Sequence, residues 1–112
     1  MQIEIKKLLL DINTAVGSIE DYLGSERSFT AYKSNKMLRR AVEREFEIIG
    51  EALNKLMKID PDIKISSTEL IIGMRNRVIH GYDKIDDEIV WGAIVRHIPI
   101  LKAEIQALLK ST

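Results

Sequence analysis

The 112-residue sequence contains no cysteine, which excludes a disulfide framework, a thiolate nucleophile and a zinc site built on cysteine. It also has only two prolines and six glycines, and no stretch rich in them divides it. We therefore expect one domain over residues 1–112. No apolar run approaches the roughly 20 residues that span a bilayer. The charged residues Glu4, Lys6 and Lys7 near the N-terminus are not typical of a signal peptide. These absences predict a cytoplasmic protein with no membrane partner.

The sequence also lacks a net charge. Seventeen basic residues face seventeen acidic ones, whereas a protein that coats nucleic acid nonspecifically has a basic surplus. A local basic segment exists between residues 33 and 44, with Glu43 as its one acid. It could bind RNA, or it could be a solvated helix face with Glu/Arg pairs, which is the commoner case. Its basic residues are Lys33, Lys36, Arg39, Arg40 and Arg44.

Apolar residues recur at helical spacing through most of the chain, and no alternating run indicates a strand. The spacing predicts long helices over about 3–23 and 35–58, with a short turn over 28–33 between them. The second helix should stop at Asp60-Pro61. The fold class we predict is all-α, an antiparallel four-helix bundle.

The third and fourth helices carry the boundary signals that matter for function. Ser66 and Glu69 form an S-x-x-E capping box, which predicts that the third helix begins at Ser66. Gly81 can adopt the left-handed conformation that ends helices. The fourth helix should run from about 86 to 110 with a kink or short break at Pro99, which lacks a backbone donor.

One charged residue of the third helix is out of place. With about 100° per residue counted from Leu70, Arg75 falls near 140°, in the middle of an apolar arc about 200° wide. Such an arc is wider than one core contact needs, so part of it should face a second subunit. We therefore predict a homodimer.

A buried guanidinium needs a partner, because leaving it unpaired is costly. Glu45 lies inside the apolar stripe of the second helix and is the candidate for a structural ion pair with Arg75. The alternative is that Arg75 is a partly desolvated cation that faces an anionic group such as a phosphate.

His80 also has two interpretations. A histidine at a helix end often just meets the helix dipole favourably, but it can also move protons. Arg75 and His80 diverge by about 140° on a straight helix, so a dimer axis would be needed to bring them into one cleft. Asn76 shares a face with His80 and could orient the imidazole or hold a phosphate. Arg77 lies on the same arc and is a further candidate for substrate binding.

Arg75, four intervening residues, His80 and then Tyr82 resemble the R-x4-H-x-Y motif of HEPN domains of the HepT toxin type. The upstream segment "RRAVEREFEIIGEALNKL", residues 39–56, is similar to that family's segment before the motif. The resemblance covers nearly the whole chain in length, helix order and motif position.

This resemblance implies a homodimeric, metal-independent endoribonuclease, the toxin of a type II toxin–antitoxin pair whose antitoxin is a minimal nucleotidyltransferase. It implies that RNA is the substrate, that Arg75 and His80 are catalytic, and that the antitoxin attaches AMP to Tyr82. No cofactor and no metal are expected, since His97 is the only other histidine and no ligand pair accompanies it. Trp91 and His97 receive no role.

The alternative is a noncatalytic dimeric helical module that binds a nucleotidyltransferase or a nucleotide. In that case Arg75 would serve structure or phosphate binding alone. The neutral net charge favours this alternative, whereas the motif favours the ribonuclease.

Overall fold

The described part of the chain is helical, and no strand occurs in it. The structure is a computed structural model that describes residues 2–25, 27–79 and 87–111, with the backbone alone for residues 77–79. The all-α class is thereby confirmed. The helices are α1 (Ile3–Leu23), α2 (Phe29–Ser34), α3 (Lys36–Ile59), α4 (Thr68–Ile79), α5 (Asp87–Gly92), a π-helical segment (Ala93–His97) and α6 (Ile98–Lys110).

The core forms where the apolar stripes of the long helices meet. Helix α3 packs against both α1 and α4, and α1 packs against α6. Each fully buried aliphatic side chain contributes roughly 1.5–3 kcal/mol to stability. The stripe of α1 buries Leu9, Ile12, Ala15, Val16 and Ile19, and that of α3 buries Val42, Phe46, Ile49, Gly50, Ala52, Leu53 and Leu56.

The helix ends near the α1–α3 connection follow the sequence signals. Gly24 ends α1 with φ +65°, and its N–H donates to the carbonyl of Glu20. The side chain of Ser28 accepts the N–H of Ala31 at the start of α2. Asn35 caps α3 in the same way, so the predicted start and stop of the second helix are confirmed to within one residue.

The predicted start of α4 was wrong. The helix begins at Thr68 rather than at Ser66, and Ser67 before it has a positive φ of 61°. Ser66 makes no capping box with Glu69, because its N–H and its hydroxyl both donate to the carboxylate of Glu104 on α6, at 3.0 Å each. The predicted end at Gly81 lies outside the described residues.

Neither a kink nor a break is found at Pro99 itself, and the irregularity lies just before it as a π-helical turn. The last long helix is divided by the π-helical segment, in which the N–H of Ile98 donates to the carbonyl of Ala93. Proline cannot donate to the carbonyl four residues earlier and its ring crowds that carbonyl. Widening the preceding turn by one residue accommodates both effects, and α6 then begins with Pro99 in its first turn.

The aromatic side chains fasten α2 to α5. The Trp91 ring lies 5.4 Å from that of Tyr32 and 6.1 Å from that of Phe29, measured between centroids. Trp91, for which we predicted no functional role, is thus a packing residue. No helix in the described ranges is both long enough and apolar enough to cross a membrane. The antiparallel arrangement and the homodimer stay predictions.

Candidate active site

The backbones of α3 and α4 approach closely at a glycine that faces Arg75. A Cβ atom placed on Gly50 would lie 2.5 Å from the Cβ of Arg75 and 3.1 Å from the carbonyl oxygen of Ile71. Real Cβ atoms do not come that close, so only glycine permits this crossing. Gly50 therefore fixes the position at which the Arg75 side chain leaves the α3–α4 seam.

The Arg75 side chain is half buried and points from this seam toward the surface. Its Nε is buried and has no hydrogen-bond partner among the described residues. At the outer end of the guanidinium, Nη1 donates to Oδ1 of the exposed Asn76, 2.8 Å away. A long cationic side chain commonly buries its stem and keeps its charged end near water in this way. The structure thus brings Arg75 and Asn76 together at the surface of α4.

Glu45 has a different partner from the one that we expected. Its carboxylate accepts a hydrogen bond from the hydroxyl of Tyr22 on α1, 3.0 Å away. That bond and the negative charge of Glu45 raise the pKa of Tyr22 above its ordinary value. No ion pair joins Glu45 to Arg75 in the part of the chain that the structure describes.

Three predicted site residues, Arg77, His80 and Tyr82, have side chains that lie outside the described part of the structure. The backbone of Arg77 continues α4, one residue after Asn76, but its side chain is not described. His80 and Tyr82 lie outside the described residues. The convergence of Arg75 and His80 in one cleft therefore stays a prediction.

Two arginines of the basic segment, both on α3, agree with the solvated-face interpretation. Arg40 pairs with Glu43 and Arg44 pairs with Glu47, each at 3.1 Å and one turn along the helix. Each of these arginines is therefore largely balanced by a neighbouring carboxylate. Surface pairs of this kind contribute little to stability.

Sequence reasoning missed two features around α4. The first is the contact of Gly50 with Arg75, although a glycine inside a long helix costs about 1 kcal/mol relative to alanine and so signals a packing reason. The second is a hydrogen bond between Ser67 Oγ and His97 Nδ1, 2.8 Å apart. No local pattern joins residues 30 positions apart, so sequence alone gave no signal for it.

Comparison of the sequence with known proteins identifies a family. The family described as Ribonuclease HepT-like matches residues 12–108. The chain is 31% identical over 111 residues to "Putative RNase MJ0125" of Methanocaldococcus jannaschii, covering 96% of this chain and 92% of that protein. It is 32% identical over 109 residues to "Probable ribonuclease HepT" of Thermococcus cleftensis, covering 94% and 96%.

A third relative, "Putative RNase TTE0752" of Caldanaerobacter subterraneus, is 35% identical over 85 residues, which cover 74% of this chain and 75% of that one. No solved structure matches the chain. The family match includes the whole α4 region and the Gly50 crossing. The chain belongs to the HepT-like ribonuclease family.

Proposed function

We propose that this protein is a metal-independent endoribonuclease that cuts RNA by attack of its own 2′-hydroxyl on the adjacent phosphate. The 2′-oxygen forms a bond to phosphorus, and the bond from phosphorus to the 5′-oxygen of the next nucleotide breaks. The reaction leaves a cyclic phosphate on one fragment and a 5′-hydroxyl on the other. It requires a group that moves protons and a cation that stabilises the charge on the phosphate.

Arg75 is the cation in this proposal, and its position is the observation that carries it. Its stem is held in the α3–α4 seam by Gly50, and its Nε has no hydrogen-bond partner among the described residues. A structural arginine would be expected to pair with a buried carboxylate, but the carboxylate of Glu45 is bonded to Tyr22 instead. The buried Nε cannot reach RNA, but the outer end of the guanidinium lies at the surface beside the exposed Asn76 and fits a phosphate, which arginine can bind with two parallel hydrogen bonds.

His80 moves the protons, since histidine is the side chain whose ordinary pKa lies nearest neutrality. It takes the proton of the 2′-hydroxyl and returns one to the leaving 5′-oxygen. Asn76 holds the Arg75 guanidinium through its Oδ1, 2.8 Å from Nη1, and orients it toward the phosphate. Arg77, from the following position of α4, contacts RNA outside the scissile group.

The active unit in this proposal is a homodimer. Arg75 and His80 are five positions apart, which places them about 140° apart around a straight helix. A twofold axis beside α4 brings Arg75 of one protomer toward His80 of the other. We also propose a partner, which the motif resemblance implies: a minimal nucleotidyltransferase antitoxin that attaches AMP to Tyr82 and so stops cleavage, which makes this chain the toxin of a type II pair.

The central experiment compares cleavage of single-stranded RNA by the wild type, Arg75→Ala and His80→Ala in buffer that contains a metal chelator. We expect Arg75→Ala to lose about 10²–10³ in rate, as for the loss of one group that stabilises transition-state charge. His80→Ala should lose about 10²–10⁴. Arg27→Ala, which removes an exposed arginine between α1 and α2, is the matched control and should cleave normally.

Cleavage that survives in a folded His80→Ala protein would remove histidine from the chemistry. Dependence of the wild type on added divalent metal would contradict the metal-independent mechanism. A wild type that binds but never cuts RNA would leave the noncatalytic binding module as the function. Co-expression with the nucleotidyltransferase, followed by mass measurement of the peptide that contains Tyr82, tests the modification separately.

A further inference from the structure

A groove lies between the first turns of α4 and the helix formed by α5 and the π-helical segment. Its volume is about 300 Å³, and it is lined by Leu70, Ile89, Gly92, Ala93, Arg96 and His97, together with Glu88 at one end. Leu70 and Ile89 are each more than one-third exposed, at 37% and 39%. The groove therefore has two apolar walls open to solvent and a floor of small residues.

The polar residues of the groove are separated along the helix axis. Glu88 and Arg96 are eight positions apart, which corresponds to about 12 Å at 1.5 Å per residue. The backbone positions of Glu88 and Arg96 are therefore well separated along the helix axis. Arg96 is exposed and His97 is half buried beside it, so the cationic end combines an accessible charge with a fixed ring.

His97 is fixed by the residue that precedes α4. Its Nδ1 lies 2.8 Å from Oγ of Ser67, which leaves Nε2 as the ring nitrogen for a ligand. Ser67 has φ 61°, a conformation that a residue with a side chain seldom adopts, and such strain is common at binding sites. The groove-lining residues Ala93, Arg96 and His97 also belong to the π-helical segment, another feature frequent at functional sites.

We propose that this groove binds one unstacked nucleotide of the RNA substrate next to the cleaved phosphate. The base lies between the apolar side chains of Leu70 and Ile89 and over Gly92, and its phosphate meets Arg96 and Nε2 of His97. Proteins that read single-stranded RNA commonly hold splayed bases between apolar or aromatic side chains. A volume of about 300 Å³ lies at the lower end of the range for small-ligand pockets, which suits one nucleotide.

The position on α4 connects this groove to the candidate active site. With Leu70 as zero, the helical positions of Gly73 and Arg77 fall near 300° and 340°. They continue the arc of Leu70 toward the C-terminal end of α4, where the motif lies. This arc carries Asn76 and Arg77, whereas Arg75, near 140°, faces the other side of α4. An RNA strand that leaves the groove along the arc approaches the half of the proposed shared site to which this protomer contributes His80, so the inference rests on the proposed ribonuclease function and adds a subsite to it.

Gly92→Leu tests the groove without disturbing the fold. A Cβ at Gly92 meets no atom within 4 Å, and its φ of −58° and ψ of −40° suit any residue. Leucine also favours a helix over glycine by roughly 0.5–1 kcal/mol, so the variant should fold at least as stably as the wild type. Gly17→Leu on α1 is the matched control, because a Cβ there likewise meets nothing within 4 Å.

The probe is a fluorescent single-stranded RNA with 2′-O-methyl groups, which binds but cannot be cut by 2′-hydroxyl attack. We expect Gly92→Leu to weaken binding about tenfold or more, equivalent to about 1.4 kcal/mol, because the leucine side chain would occupy the space of the base. Gly17→Leu should bind normally. Normal binding by folded Gly92→Leu, in a protein whose wild type cleaves RNA, overturns the groove and leaves the proposed function intact.

Two further measurements separate the alternatives. Arg96→Ala should reduce the slope of log affinity against log salt by about 0.7, the amount for one phosphate contact on a single strand, and Lys110→Ala, at the far end of α6, should not.

The second measurement is the molar mass of Gly92→Leu in solution. If it shows that the groove variant dissociates a dimer, the groove is a contact between copies of this chain and the nucleotide proposal is overturned. A wild type that neither binds nor cleaves RNA overturns the subsite and the proposed function together.

Discussion

At the scale of single residues, Gly50 connects the sequence to the candidate site. A helix interior disfavours glycine, yet alanine at this position would place its Cβ 2.5 Å from the Cβ of Arg75. We expect Gly50→Ala to lower the free energy of unfolding by about 1–3 kcal/mol, the usual cost of forcing one extra carbon into a packed seam. It should also reduce RNA cleavage in the molecules that remain folded, because α4 must move and carries Arg75 with it.

Gly17→Ala provides the contrast for this prediction. A Cβ at Gly17 has open space, so the helix propensity of alanine should raise stability by up to about 1 kcal/mol with cleavage unchanged. Denaturant unfolding of both variants measures whether each change lowers or raises the free energy of unfolding. If Gly50→Ala proved as stable and as active as Gly17→Ala, the close crossing would have no part in placing Arg75.

Tyr32 offers a second test, because its hydroxyl is buried and has no hydrogen-bond partner in the described ranges. An unsatisfied buried hydroxyl costs about 1–3 kcal/mol, so Tyr32→Phe should raise the free energy of unfolding by about 1 kcal/mol at neutral pH. Tyr22→Phe should not raise it, because the Tyr22 hydroxyl donates to Glu45. A loss of stability in Tyr32→Phe would show that the hydroxyl has a partner after all.

The same residue predicts a dependence of stability on alkaline pH. Burial raises the pKa of Tyr32 above the ordinary value of 10.0 that applies in the unfolded chain. Below 10.0 both states hold the proton and pH has no effect through this group. Above it the unfolded state releases the proton first, so wild-type stability falls by up to about 1.4 kcal/mol per pH unit. The stability advantage of Tyr32→Phe should therefore grow above pH 10.0, as denaturant midpoints at two pH values would show.

The residue scale also shows where sequence reasoning failed. The helical wheel placed Arg75 and Glu45 on apolar faces, and the structure shows both as half buried. A wheel gives the direction of a side chain but not its height along the neighbouring helix. It therefore could not show that Glu45 contacts Tyr22 of α1. Nor could it show that Arg75 contacts Gly50, which is five positions later than Glu45 on α3.

At the scale of helices, the start of α4 is determined by contacts with α6 rather than by local sequence. The carboxylate of Glu104 accepts hydrogen bonds from both the N–H and the hydroxyl of Ser66. We expect Glu104→Ala to lower the free energy of unfolding by about 1–2 kcal/mol, since a hydrogen bond to a charged group contributes more to stability than one between neutral groups. Faster amide hydrogen exchange at Ser66 would locate the effect.

Glu69→Ala is the control that distinguishes this contact from the capping box predicted by the sequence. Glu69 is exposed in the first turn of α4 and makes no capping box with Ser66, so its loss should change stability by less than about 0.5 kcal/mol. A larger cost for Glu69→Ala than for Glu104→Ala would restore the capping box and contradict the observed start of α4.

Helix positions were otherwise largely predictable, because apolar periodicity and caps are local. The start of α3 directly after its cap Asn35 and the irregularity before Pro99 follow from the residues themselves. The π-helical form of that irregularity was not predictable, since a proline can also kink a helix or end it. Ser66 was misread because a serine can donate to a distant carboxylate as readily as it can cap a helix.

At the scale of the whole molecule, the twofold arrangement that we propose makes a specific prediction about mixed subunits. If each active site takes Arg75 from one protomer and His80 from the other, neither Arg75→Ala nor His80→Ala alone contains a complete site. A dimer with one chain of each kind regains one complete site, in which Arg75 of the second chain faces His80 of the first. Two inactive proteins that are mixed and allowed to exchange subunits should therefore recover part of the wild-type cleavage.

The mixing experiment distinguishes a shared site from two independent ones. A molar mass near twice the 12.8 kDa of the chain must first establish the dimer. Mixing Arg75→Ala with itself, or with an Arg75→Ala, His80→Ala double variant, should recover nothing, because no pair of these chains supplies both groups. If the site instead lay within one protomer, no mixture of the single variants could restore cleavage, since every chain would lack one group that its own site needs. Recovery in the mixed sample alone therefore requires that the guanidinium and the imidazole act across the subunit boundary.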